Sequence, residues 1–195
     1  MLDIYIDADA CPVRKEVFTV AERHRLTVFV VTQGNIRVPV DPRIRLVLVS
    51  EGPDAADDWI AERIGPGDIC VTADVPLASR CLKKGASAIG STGRRFTADN
   101  IGTALASRDI AAHIRESGGQ SGGPRPLAPR DRSRFLGELD GLINAIRRAA
   151  GCKMQCGPSV VFPGDHRGRF RPVMANRSGP ITNPASFIVV RLVPG

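Results

Sequence analysis

The first 150 residues predict one α/β domain with a mostly parallel sheet of about five strands and helices on both faces. Short β-rich runs alternate along the chain with segments of helical periodicity, which is typical of parallel strands joined by helices. The apolar content of 43% and the charged content of 24% are those of a globular protein with one hydrophobic core.

Five short apolar runs, rich in Ile, Val and Leu, are expected to be the strands. In chain order they cover residues 2–6, 26–31, 44–49, 69–72 and 86–89. Turn-forming residues such as Gly, Pro, Asp and Ser lie beyond most of these runs, and such residues end strands. The runs are too short to be buried helices, which supports the strand assignment.

The first two helices are expected after the first and third strands. Pro12 is suited to a first helical position, and the apolar stripe that follows it continues to about His24. Asp54 can cap the second helix, which ends before Gly65. These two helices would connect neighbouring parallel strands.

Three further helices complete the prediction. Pro76 begins a short helix that Gly85 closes, and a longer one is expected over about residues 98–116. After the Gly/Pro-rich loop 118–129, Asp131 is placed to cap a last helix. The apolar face of this last helix consists of Phe135, Leu139, Leu142 and Ile146.

Residues 151–195 differ in character and are expected to be a poorly ordered basic tail outside the fold. They contain six basic residues and one acid, whereas residues 1–150 contain 21 basic and 19 acidic residues. Most of the formal net charge of +7 therefore lies in the tail, and the domain itself carries only +2. The high overall charge is thus a weak argument for nucleic-acid binding by the domain.

The sequence disfavours a membrane-spanning protein and an exported one. Even the longest apolar runs, such as 28–31, are far too short to span a membrane, and the N-terminus lacks the pattern of an export signal. Five cysteines without a framework of spacings favour a reducing compartment. We therefore expect a cytoplasmic protein without membrane contact, and the oligomeric state stays open.

Carboxylates follow three of the five predicted strands. Asp7 and Asp9 come directly after the first strand, Asp54 follows the third, and Asp74 follows the fourth. Ligands of open parallel sheets bind beyond the carboxyl ends of the strands, where these acids are expected to share one rim. Asp54 and Asp57 open a helix, so they are explained equally well as helix caps.

Repulsion between such acids favours a bound cation. Two carboxylates about 4 Å apart repel each other by roughly 4 kcal/mol at an effective dielectric constant near 20. Mg²⁺ and Mn²⁺ prefer carboxylate oxygens and keep several waters, so either ion would offset the repulsion between Asp7, Asp9 and Asp74. The sequence therefore predicts a divalent-metal site.

Several motifs, in order, resemble the YaiI/YqxD family of small bacterial proteins over residues 2 to about 148. The motifs are residues 6–13, 54–60 and 72–78, followed by Gly93-Arg94, Asn100-Ile101, 122–124, Asp131-Arg132 and Phe135. The family in turn resembles the PIN-like nucleases. This resemblance implies a Rossmann-like domain with an acidic, metal-binding centre for phosphodiester cleavage, RNA being the favoured substrate. The tail has no counterpart in the pattern.

The resemblance also implies roles for individual residues. Asp7, Asp9 and Asp74 would be catalytic and bind Mg²⁺ or Mn²⁺, and Asp54 or Asp57 would bind a second ion or its waters. Substrate phosphate would be bound by Thr72, Arg94 and Arg95.

Two other functions stay open. Asp7-x-Asp9 after an apolar strand, with Thr32 after the second strand, also resembles an aspartyl-phosphate phosphohydrolase. No lysine lies between the second strand and Gly67, however, and such phosphatases normally place one beside the phosphate. The second alternative is a non-catalytic nucleic-acid or nucleotide-binding module, which the near-neutral charge of the domain disfavours.

Overall fold

Five parallel strands and one antiparallel edge strand form the sheet of the computed structural model, which describes residues 2–9, 11–34, 36–50, 52–116 and 127–155. The strands are β1 (Asp3–Asp7), β2 (Thr27–Thr32), β3 (Ile44–Leu48), β4 (Ile69–Val71), β5 (Ser87–Ile89) and β6 (Arg95–Phe96). The helices are α1 (Arg14–His24), α2 (Ala55–Arg63), α3 (Val75–Lys83), α4 (Ala98–Glu116) and α5 (Pro129–Gln155). The predicted α/β fold with helices on both faces is confirmed.

Two hydrophobic clusters lie on opposite faces of the sheet. On one face, α1 and α5 cover β1, β2 and β4, and the fully buried side chains of α5 include Phe135, Leu139 and Ile143. On the other face, α2 and α3 pack through residues such as Ile60 and Leu77. The alternation of side chains along each strand sends neighbouring residues into different clusters, which is why the central strands are apolar throughout.

Charged side chains join α1 to α5 near both ends of α1. Arg132 Nη1 lies 2.6 Å from Glu16 Oε1, and His24 Nε2 lies 2.8 Å from Asp140 Oδ1. The same Asp140 oxygen also accepts a hydrogen bond from Arg23. The hydrogen bond from His24 is the main reason that the pKa of Asp140 is lowered. The C-terminal helix is therefore attached to the fold by charged contacts as well as by its buried apolar face.

The strand order is β3-β2-β1-β4-β5-β6, so the chain reverses its direction of winding between β1 and β4. The helices that leave these two strands pass to opposite faces of the sheet. A crevice therefore forms beyond the carboxyl ends of β1 and β4, which is the usual ligand position in open α/β sheets. Asp7 ends β1 and Thr72 follows β4, and their neighbours Ile6 and Val71 are paired in the sheet.

Several boundaries differ from the predicted ones. A sixth strand, β6, was not expected, and it contains Arg95. The first helix begins at Arg14 rather than at Pro12. Asp131 lies in the first turn of α5 and accepts a hydrogen bond from the backbone N–H of Ala128, so it closes the turn from inside the helix. The predicted loop 118–129 lies mostly outside the described residues.

The last helix continues past the predicted domain boundary at residue 150 and reaches Gln155. The rest of the predicted tail, residues 156–195, lies outside the described residues. None of the helices that the structure describes is long and apolar enough to cross a membrane.

Candidate active site

Asp7 lies at the centre of the crevice between β1 and β4. Asp7 is 6% exposed, and its Oδ2 accepts a hydrogen bond of 3.3 Å from the hydroxyl of Thr72. The same hydroxyl accepts a hydrogen bond of 2.9 Å from the backbone N–H of Asp74. Thr72 therefore orients the Asp7 carboxylate and fixes the start of the turn that carries Asp74.

Asp74 is the N-cap residue of α3. Its Oδ2 accepts a hydrogen bond of 3.0 Å from the backbone N–H of Leu77, which satisfies one of the free N–H groups of the first helical turn. Its other oxygen, Oδ1, lies 3.5 Å from Nη2 of Arg108 on α4. One carboxylate thus serves as a helix cap and faces a cation from a different element.

Asp57 reaches the same rim from the first turn of α2. Burial, followed by the negative charges of Asp7, Asp74 and Asp54, raises the pKa of Asp57 to about 6. Arg80 offsets part of this effect. Because these three neighbouring charges act on one half-buried carboxyl group, the four aspartates form a single electrostatic cluster, called the acidic cluster below.

Asp54 is an exposed member of this cluster. It occupies the N-cap position of α2 with a left-handed backbone (φ 59°), but its side chain makes no capping hydrogen bond. Asp54 therefore occupies the predicted helix-cap position, but its carboxylate does not cap the helix. The charge of that carboxylate contributes to the raised pKa of Asp57.

Asp9 lies apart from the acidic cluster, towards the end of β2. The hydroxyl of Thr32 donates a 2.6 Å hydrogen bond to its Oδ1, and the backbone N–H of Gln33 donates a 3.1 Å bond to its Oδ2. Of the five aspartates predicted to bind metal, Asp7, Asp54 and Asp74 lie near enough to Asp57 for their charges to raise its pKa, and Asp9 is hydrogen-bonded to the end of β2. In the described part of the chain, no three His, Cys, Asp or Glu side chains are arranged as a ready-made metal site.

A cavity of about 370 Å³ opens beside the acidic cluster, between the ends of β4 and β5 and the helix α4. Two arginines, four hydroxyl side chains and one aromatic ring contribute to its wall. The lining residues are Ala73, Val75, Gly90, Ser91, Thr92, Arg94, Phe96, Thr103, Ala104, Ser107 and Arg108. This cavity is called the α4 cavity below.

The two arginines predicted to bind phosphate have different surroundings. Arg94 is exposed and lines the α4 cavity. Arg95 lies in β6, where its Nε donates a 2.8 Å bond to Glu138 Oε2 and its Nη2 a 3.0 Å bond to the Glu138 carbonyl oxygen. Arg95 therefore attaches the edge of the sheet to α5, and Arg94 is the arginine that faces the cavity.

Arg108 is the charged residue of this region that the sequence reasoning missed. It lies on α4 and is among the residues that line the α4 cavity, and its guanidinium also faces Asp74. The available signal was the spacing of Thr103, Ala104, Ser107 and Arg108, which places them on one helix face. That pattern is equally typical of a solvent-exposed helix, so the sequence alone does not distinguish a helix face that lines a cavity from one that faces solvent.

The turn that carries Arg94 is held against the last helix. Gly93 has a left-handed backbone (φ +79°), and a Cβ atom at this position would lie 3.1 Å from both N and Cα of Phe135. Only glycine allows this approach of two backbones. The Gly93-Arg94 motif and Phe135 are therefore parts of one contact.

Comparison with known proteins identifies the family. A family model described as "Uncharacterized BCR, YaiI/YqxD family" matches residues 5–145, which include every member of the acidic cluster and the whole lining of the α4 cavity. The chain belongs to this family. No solved structure gives a significant match.

Several relatives in the family are similar over nearly their whole length. A UPF0178 protein of Rhodospirillum rubrum is 63% identical over 150 residues, which are 75% of this chain and 99% of the relative. Another from Rhodopseudomonas palustris is 58% identical over 149 residues, covering 75% and 94%. A third, from Caulobacter sp. strain K31, is 55% identical over 148 residues, covering 76% and 98%. In these three proteins the similarity accounts for the α/β domain and leaves little of each relative unmatched.

Proposed function

We propose that the protein is a divalent-metal-dependent nuclease that hydrolyses phosphodiester bonds, with RNA as the favoured substrate. The observation that carries this proposal is the position of Asp7 and Asp74 at the crevice where the winding of the sheet reverses, with the hydroxyl of Thr72 hydrogen-bonded to the Asp7 carboxylate and to the Asp74 N–H. Asp7 ends β1, Asp74 caps α3 just after β4, and Asp57, in α2, lies near enough for both charges to raise its pKa. The resemblance of the family to PIN-like nucleases supports the same chemistry.

The donor set fits Mg²⁺ or Mn²⁺. Carboxylate oxygens are the ligands that these ions prefer, and a cation would offset both the burial and the neighbouring negative charges that raise the pKa of Asp57. Asp7, Asp57 and Asp74 would hold the ion once their side chains draw together around it, and Asp54 and Asp9 would bind a second ion or its waters. When bound, the ion would supply charge neutralisation at the phosphate and a coordinated water whose pKa is lower than that of bulk water.

The protein's own groups orient the reactants. The hydroxyl of Thr72 holds Asp7, and the first turn of α3 holds Asp74, so two carboxylates keep fixed directions before any ligand binds. Thr32 and the N–H of Gln33 fix Asp9 in the same way. The guanidinium groups of Arg94 and Arg108 would receive the phosphate oxygens on the cavity side.

The test is hydrolysis by the EDTA-stripped full chain with and without Mn²⁺ or Mg²⁺. Single-stranded RNA, single-stranded DNA and p-nitrophenyl phosphate are compared as substrates. We expect metal-dependent cleavage of RNA that Asp7→Asn and Asp74→Asn reduce by more than roughly tenfold, since changes even to outer-shell groups of metal sites have effects of this size. Asparagine also caps helices, so Asp74→Asn removes a charge and keeps the start of α3.

Glu62→Gln is the matched control, because Glu62 is an exposed acid of α2 on the same helix as Asp57. It should leave cleavage unchanged. Hydrolysis of p-nitrophenyl phosphate without cleavage of RNA would favour the phosphohydrolase. Absence of hydrolysis of all three substrates with both metals would contradict the nuclease proposal.

A further inference from the structure

We propose that the α4 cavity binds one nucleotide of the substrate, with its phosphate at Arg94 and Arg108 and its base against Phe96. This rests on the proposed function, since it identifies the part of the substrate that lies beside the acidic cluster. It also adds Arg108 and Phe96 as substrate-binding residues. The binding site itself can be tested without metal and without hydrolysis.

The charge of the cavity favours an anion. Among the described residues, the charged side chains that line it are Arg94 and Arg108, and none of the lining residues is an Asp or Glu. Arg108 contacts Asp74 through one nitrogen at 3.5 Å, and a guanidinium has five N–H donors, so others stay available to a ligand. Two arginines in the lining of one cavity, one from the β5–β6 turn and one from α4, suit the oxygens of a phosphate group.

The remaining wall suits a base and a sugar. Phe96 lines the cavity and packs partly buried against the hydrophobic cluster beneath it, and a Cβ atom at Gly90 would lie 3.6 Å from its ring, so the ring is held in place beside this stretch of backbone. Bases stack on aromatic rings irrespective of their sequence. The hydroxyls of Thr103 and Ser107, on α4, can donate to or accept from a ribose or a base.

The volume limits the ligand to one nucleotide. About 370 Å³ lies near the lower end of the roughly 300–1,000 Å³ found for small-molecule sites. A single base with its sugar and phosphate has this size, whereas a second nucleotide would have to continue outside the cavity. Since Arg108 also faces Asp74, the phosphate end of the nucleotide lies next to the acidic cluster.

The shared position of Arg108 couples the cavity to the acidic cluster. The carboxylate of Asp74 competes with a phosphate for the same guanidinium. Neutralising this carboxylate should therefore strengthen phosphate binding in the cavity, although it removes a member of the acidic cluster. Variants of Asp74 and Arg108 are thus expected to shift nucleotide affinity in opposite directions.

The experiment is equilibrium dialysis of AMP against the full chain in EDTA, with adenosine, inorganic phosphate and a short single-stranded oligonucleotide as separate ligands. AMP should bind more tightly than adenosine or phosphate, because the base and the phosphate use different walls. Arg108→Gln should weaken AMP binding by roughly tenfold or more, as expected for loss of a charged hydrogen bond. Asp74→Asn should strengthen it several-fold.

Two further variants serve as control and independent probe. Arg63→Gln removes an exposed arginine on α2 whose ion pair, at 3.4 Å, resembles that of Arg108, and it should leave AMP binding unchanged. Ala104→Met fills the cavity from α4 without changing charge, and it should abolish AMP binding while the chain stays folded by circular dichroism.

The outcomes separate this inference from the nuclease proposal. AMP binding that depends on Arg108, in a protein that never cleaves RNA, would support the nucleotide site and contradict the nuclease. Cleavage of RNA by a protein whose AMP affinity is within twofold for wild type, Arg108→Gln and Ala104→Met would overturn the nucleotide site and leave the nuclease standing. If AMP bound no more tightly than inorganic phosphate, the nucleotide site would also be overturned, since the base would then contribute nothing to binding.

Discussion

Replacing Asp57 by asparagine is expected to stabilise the metal-free protein at neutral pH. Burial and the charges of Asp7, Asp74 and Asp54 raise the pKa of Asp57 from 3.8 to about 6. One pKa unit corresponds to about 1.4 kcal/mol, so the whole shift would lower the free energy of unfolding by about 3 kcal/mol at pH 7. Because Asp57 is only half-buried, solvent screening reduces this effect, and we expect a gain of about 1 kcal/mol.

The pH dependence gives the sign of the effect. The pKa of Asp57 is higher in the folded than in the unfolded state, so stability is lost as pH rises from about 4 to about 6. Below this range both states are protonated, and the variant should match the wild type. Through this range the stability difference should appear, and near pH 7 it should be complete.

Urea unfolding of both proteins in EDTA at several pH values between 4 and 7 measures this difference. Glu62→Gln is again the control, and since this acid is 71% exposed its effect should stay within about 0.5 kcal/mol at every pH. A gain for Asp57→Asn that is the same at pH 4 and pH 7 would contradict the electrostatic explanation. A loss of stability at pH 7 would show that Asp57 makes a favourable contact that outweighs the repulsion.

Four further predictions follow from the packing and the acidic cluster. Leu139→Ala should lower the free energy of unfolding by roughly 2–5 kcal/mol in a urea titration, because Leu139 is fully buried. Gly93→Ala should cost about 1–3 kcal/mol by the same assay, from its left-handed backbone and its close approach to α5. Calorimetry should show that Mn²⁺ at a hundredfold excess over its Kd stabilises the wild type by about 2.7 kcal/mol, and Asp74→Asn should lose most of this effect. Truncation after Gln155 should leave the melting temperature unchanged, and a loss of several degrees would mean that the removed residues pack on the domain.

Most of the fold could be predicted because its signals are local. Each parallel strand is an apolar run that is followed by polar residues. The start of α3 is marked in the sequence by Asp74, which caps the helix, and by Pro76 in its first turn. The strand β6 could not be predicted in this way, because two residues, Arg95 and Phe96, carry no periodicity. Its pairing with β5 depends on the turn at Gly93 and on the contact of that turn with α5.

The site was predictable in outline for a different reason. Parallel strands align their carboxyl ends, so acids that follow β1 and β4 must come close to one another. The direction of each carboxylate is set by single hydrogen bonds, such as that from Thr32 to Asp9, and the sequence contains no trace of them. Arg108 could not be assigned from sequence because its role depends on how α4 packs beside α3.

The contacts between the β5–β6 turn and α5 determine when the candidate site can form during synthesis of the chain. Gly93 and Arg95 contact Phe135 and Glu138, which are translated about 40 residues later. Until α5 has left the ribosome, the β5–β6 turn that carries Arg94 lacks its backbone contact with Phe135, and Arg95 lacks its ion pair with Glu138. A nascent chain therefore carries its aspartates long before it has the finished cavity wall, and the complete site is a property of the finished domain alone.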